Sequence, residues 1–154
     1  VEISAKTEYA VRAMLELADA SDPDGRPVSD DVLAQGQGLP RKFLESILAD
    51  LRRAELVVST KGARGGYRLA RAAETIRIAE ILEAVDETVS AMHIGAGASG
   101  GISGSRAQTL SNRLWESLSA HVYVFLHNHT LADVAKNQLL PCPALPKILS
   151  VVDD

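Results

Sequence analysis

Residues 40–70, PRKFLESILADLRRAELVVSTKGARGGYRLA, decide the fold. Leu44, Ile47, Leu48 and Leu51 recur at i, i+3, i+4 and i+7, the spacing that gathers side chains onto one face of an α-helix. Pro40 suits the first turn of that helix, where an N–H would lack a partner in any case. The opposite face carries Arg41, Lys42, Glu45 and Arg52. The pattern then changes: 56–60 is short and β-branched, 61–66 is a glycine-containing turn, and 67–70 can return as a second strand.

Upstream, Tyr9, Ala10, Ala13, Met14 and Leu17 predict a first helix from Ser4 to about Ala20. The stretch 21–27 is dense in turn formers. Ser29 then offers an N-cap, with Asp30 and Asp31 favourably placed against the helix dipole, for a short second helix that stops near Gly36 and Gly38. Downstream, Ile78, Ile81, Leu82 and Val85 predict a fourth helix over about 75–87. Eleven of the thirteen residues from Gly95 to Ala107 are Gly, Ala or Ser, too little apolar surface to offset the entropy of ordering, so 89–109 is expected to be a flexible loop. Leu110, Leu114, Leu118, Val122, Phe125 and Leu126, joined by Trp115, predict a longer helix over 110–135 whose helical face runs to about His129. It has little to pack on within one chain, which is the usual sign of a two-fold partner. Leu114, Trp115, Leu118, Val122 and Phe125 are the expected seam of a homodimer. The tail, 136–154, with Pro141, Pro143 and Pro146, reads as irregular.

The fold class that emerges is mainly α with a small β-hairpin wing: a winged helix-turn-helix over 1–88, followed by a long C-terminal dimerisation helix. The 154 residues, 46% hydrophobic and 23% charged, suit one globular core, and 4% aromatic residues leave aliphatic side chains to fill it. No apolar run is long enough to span a bilayer and no signal-peptide pattern opens the chain, so a cytoplasmic protein without membrane association is expected. The single cysteine, Cys142, excludes an intramolecular disulfide. No Gly-x-Ser-x-Gly, phosphate loop or metal-ligand spacing occurs, which argues against an enzyme.

A net charge of −4 looks unfavourable for a polyanionic partner, but its distribution is uneven. Between Leu39 and Arg71 eight basic residues face three acidic ones, a local charge of +5 on a body of −9. Double-stranded DNA is the expected partner of that segment. Arg41 and Lys42 would enter the major groove at the start of the recognition helix, and Glu45, one turn on, could accept from cytosine N4. Lys61, Arg64 and Arg68 on the hairpin would reach flanking backbone or minor groove. With Tyr67 of the wing, the expected DNA-binding set is Arg41, Lys42, Glu45, Lys61, Arg64, Tyr67 and Arg68.

Phe43-Leu44-Glu45…Leu51-Arg52-Arg53-Ala54-Glu55-Leu56-Val57 and Lys61-Gly62-Ala63-Arg64-Gly65-Gly66-Tyr67-Arg68-Leu69-Ala70 closely resemble the bacterial winged helix-turn-helix regulators typified by IscR, NsrR and CymR. Ile3-Ser4-Ala5-Lys6-Thr7-Glu8-Tyr9-Ala10-Val11-Arg12, Leu114-Trp115 and Thr130-Leu131-Ala132-Asp133 match as well, so the likeness spans 3–135. The resemblance implies a homodimeric transcriptional regulator, a repressor by preference, on a pseudo-palindromic operator. It also implies a cluster-binding loop at 89–109, with three cysteines in the cluster-binding members, the last six residues before the tryptophan. Thr109 stands there, and 93–108 holds no cysteine. No cofactor and no metal site is therefore expected; a small-molecule or protein effector, or descent from an iron-sulfur sensor whose cysteines were replaced, are the alternatives. Glu8 aligns with a carboxylate ligand of some relatives and reads here as a solvated acid. His121, His127 and His129 face different directions on one helix, and Cys142 reads as an inert tail residue.

Overall fold

Ser4 opens the first helix by accepting a hydrogen bond from the Thr7 N–H at 3.2 Å. The computed structural model describes residues 3–20, 25–85 and 105–139. Helix α1 (Ala5–Asp19) buries Ala10, Ala13, Met14 and Leu17 of the expected stripe and, beyond it, Thr7, while Tyr9 is only half-buried against the core. Ser29 caps α2 (Asp30–Gln37) in the same way, with Asp30 and Asp31 in the first turn, and Gly38 closes it in the left-handed conformation at φ 62°. Gly36 lies inside this helix. Helix α3 (Arg41–Arg53) drives Leu44, Ile47, Leu48 and Leu51 into full burial against α1 and α2.

Beyond α3 the chain must reverse sharply, and Glu55 makes the turn at φ 61°. The Leu56 N–H then donates to the Leu51 carbonyl at 3.0 Å, a Schellman-type closure that buries Leu56 beneath the helix it ends. Strands β1 (Val57–Thr60) and β2 (Gly66–Leu69) pair antiparallel, with Val57 opposite Leu69 and Thr60 opposite Gly66. A further bridge joins Val28 to Tyr67 through two hydrogen bonds of 2.8 Å, so the hairpin is tied to the segment that leads into α2. Only glycine fits at 66, because a Cβ there would overlap the Val28 carbonyl.

A 3-10 turn (Ala73–Thr75) occupies the start of the region predicted as the fourth helix. Helix α4 is therefore shorter, Ile78–Ala84, and the end expected near Glu87 lies outside the described residues. The Gly/Ala/Ser stretch to residue 104 and the tail from 140 onward also lie outside them.

The long helix differs from its predicted bounds at both ends. Helix α5 runs from Arg106 to Asn128, because Ser105 accepts from the Gln108 N–H at 3.1 Å and the next residues are good helix formers. The last residues of the predicted loop thus belong to the helix. At the other end His129 is extended and buried, and Thr130 and Asp133 form a reciprocal capping box that starts a separate helix, α6 (Leu131–Ala135). The helix does not continue to 135 because Leu131 and Ala132 turn into the core. Backbone bonds from Ile78 N–H to the His129 carbonyl at 3.0 Å and from Leu131 N–H to the Ile76 carbonyl at 2.8 Å fasten that break to α4.

Glu55 carries a Cβ in a conformation that costs an L-residue about 1 kcal/mol. Glu55→Gly is expected to raise unfolding free energy by roughly 0.5–1 kcal/mol, the left-handed strain relieved outweighing the added unfolded-chain entropy. Urea denaturation at constant m-value checks this, and a destabilised Glu55→Gly would contradict it.

Candidate nucleic-acid interface

Helix α3 offers one face to the core and the other to solvent. Its N-terminal turn contains two cations and no acid, so the helix's positive pole and the charges of Arg41 and Lys42 reinforce one another. That arrangement costs stability and favours an anion nearby. The opposing charge comes from α2 and from the next turn of α3: Arg41 pairs with Asp31 at 3.1 Å, Glu45 at 3.4 Å and Asp30 at 3.9 Å. These pairs are solvent-exposed and individually weak, so they orient the guanidinium more than they stabilise the fold.

Tyr67 ties the hairpin to the same surface. Burial pushes its phenol up, Asp30 adds to the shift, Arg52 opposes it and Glu45 adds again, so three of the surface's charges lie close enough to be felt at the ring. At the far end of α3 the Arg52 guanidinium donates to the Ser59 hydroxyl at 3.5 Å, joining the helix to β1. Lys42, Lys61, Arg64 and Arg68 are exposed. Lys61 and Arg64 occupy the wing tip, whereas Arg68 stands on β2 beside a cleft.

The eight cations counted along the sequence do not play one role. Asp50 accepts from Lys6 of α1 at 2.7 Å and pairs with Arg53, so Arg53 helps to clamp α3 onto α1. The hydrogen bond from Lys6, backed by Arg53, holds the Asp50 carboxyl below the usual carboxylate range. Arg71 pairs with Glu80 at 2.5 Å across the start of α4. Arg52 lies outside the expected DNA-binding set, yet its contact with Ser59 places it where α3 meets the hairpin. The spacing already placed it there, since Arg41, Glu45 and Arg52 at i, i+4 and i+11 share a helix face.

Helix α5 buries none of its residues in the single chain. Leu114, Leu118 and Phe125 are exposed, Trp115 and Val122 half-buried, and the Trp115 indole N–H donates to Ser111 within the same helix. Leu126 alone of the stripe packs against the core.

A family model described as iron-dependent transcriptional regulators, Rrf2, matches residues 3–137, covering the helix-turn-helix, wing, α5 and α6. The chain belongs to the Rrf2 family. The regulator IscR of Cereibacter sphaeroides is 53% identical over 154 residues, covering 100% of this chain and 99% of that protein. IscR of Erwinia tasmaniensis is 37% identical over 138 residues, covering 90% of this chain and 81% of that protein. Among solved structures, T. potens IscR superposes with a TM-score of 0.70 at 33% identity, covering 89% of this chain and 88% of that one. CymR, the global cysteine regulator of B. subtilis, gives 0.73 at 28% identity over 89% and 98%. As an Rrf2 protein the chain is a transcriptional regulator of the DNA-binding, winged-helix kind.

The Rrf2 description names iron; among the described residues no group of three or more His, Cys, Asp or Glu could hold a metal ion, and 86–104, most of the loop expected at the family's cluster position, lies outside them. The His121 ring is hydrogen-bonded to the Ser117 carbonyl and the His129 ring to the Phe125 carbonyl, each at 2.7 Å. His93 and Cys142 lie outside the described residues. No helix among the described residues is long and apolar enough to cross a membrane.

Proposed function

We propose that the chain acts as a homodimer that binds a pseudo-palindromic operator and represses transcription from it, with α3 in the major groove and the wing on the flanking backbone. The observation that carries this reading is the shared surface of α3 and hairpin, where Arg52 meets Ser59 and Tyr67 lies within the field of Asp30 and Glu45. Phosphate contact falls to Lys42, Arg52, Lys61, Arg64 and Arg68, none of which pairs with a carboxylate among the described residues. Arg41 and Glu45, already fixed against each other, are suited to base edges, because a carboxylate adds nothing favourable to a phosphate contact.

Three-cysteine ligation of an iron-sulfur cluster is not available to a chain with one cysteine, so DNA binding is assigned to the protein without such a cluster. Lys61→Ala and Arg64→Ala are each expected to weaken binding and to lower the slope of log affinity against log salt by about 1, while Lys136→Ala changes neither. The preparation should be assayed for iron and visible absorption before and after anaerobic reconstitution. Unchanged affinity in the wing variants with loss in Lys136→Ala would reject the assigned face, and a stoichiometric cluster would place iron on other donors and end the cluster-free reading.

The exposed apolar face of α5 supports the dimer, since an uncovered stripe of this kind is unusual for a monomer. Light scattering at micromolar concentration should report a dimer, and Leu118→Glu a monomer with an intact helix content. A wild-type monomer would refute the seam.

A further inference from the structure

A cleft of about 490 Å³ lies on the body between the C-terminal end of α1, strand β2 and α6. That size falls in the range of small-molecule sites. Its floor is aliphatic, with Leu17, Val28, Leu69, Ala73 and Ala132 drawn from five separate segments. Two of its cations are neutralised within the fold: Lys136 pairs with Glu74 at 3.4 Å, and Arg71 with Glu80 at 2.5 Å. Arg26 and Arg68 also line it, and neither has a hydrogen-bond or carboxylate partner among the described residues. Asp19 is the remaining acid in the wall. Among the described residues, two free guanidinium groups against one free carboxylate leave the lining one positive charge in excess above an apolar floor.

We propose that this cleft binds a small aliphatic monocarboxylate, with the carboxylate on Arg26 and Arg68 and the hydrocarbon chain on the aliphatic floor. Guanidinium groups match a carboxylate in charge and in fork geometry, and the chain supplies apolar area that a bare anion lacks. The position gives the site a use: β2 is a wing strand, and α6 follows directly on the break that fastens α5 to α4. A ligand spanning them would bear on the wing and on the anchor of α5 together and would draw Arg68 away from the phosphate contact assigned to it above, a consequence that rests on the DNA-binding reading.

The test is thermal unfolding of the full chain with hexanoate, acetate and hexylammonium at 10 mM and constant ionic strength. Hexanoate is expected to raise Tm by roughly 2–5 °C, as an occupied site of millimolar affinity does for a domain of this size, with acetate and hexylammonium near zero. Arg26→Ala, at an exposed position, should abolish the shift, and so should Ala135→Trp, which fills the cleft from an exposed wall position. No hexanoate shift, an equal shift from hexylammonium, or a shift that survives both substitutions would overturn the proposal. DNA affinity of the same preparations, measured without hexanoate, keeps a failure of this site distinct from a failure of the DNA-binding reading.

Discussion

Two backbone hydrogen bonds of 2.8 Å between Val28 and Tyr67 hold the wing to the helix-turn-helix. A two-stranded hairpin is marginal alone, and this one has only four residues per strand. Pairing with Val28 gives it a third neighbour and fixes its angle to α2, which starts two residues later. The approach is possible only because residue 66 has no side chain. Because Val57 and Leu56 are buried in the same core as Leu44 and Leu51, the hairpin and the recognition helix are positioned by one packed unit. Charges on α3 and on the wing are therefore carried by one packed unit.

A second fastening governs α5. The helix leaves the body with its apolar residues uncovered, and its C-terminal end is held by the His129 and Leu131 backbone bonds to the segment 76–78 and by the Arg77 guanidinium donating to the His127 carbonyl at 3.2 Å. Leu131, fully buried, anchors the chain immediately after the break. The direction of α5 is thus set from within the winged-helix core.

The helices with one buried face were legible because burial imposes a 3.6-residue period: Leu44, Ile47, Leu48 and Leu51 appear in the sequence as they appear in the core. Helix α6 was not, because Leu131, Ala132 and Val134 continue an apolar run past Asn128; the Thr130–Asp133 capping box was the local signal of a restart. Residue 28 gave no sign of its bridge, since a single paired residue has no period. The division of labour among the cations was equally hidden. Spacing shows that Arg41 and Glu45 share a helix face, but the reach of Asp31 to Arg41 and of Lys6 to Asp50 comes from packing between separate helices.

Whether two copies of this surface read DNA together is decided by selecting binding sites from random duplexes with the purified protein. The expected product is two inverted half-sites whose centres lie about one helical turn apart, roughly 34 Å, as two-fold related recognition helices require. A single asymmetric site, or no enrichment at all, would contradict it.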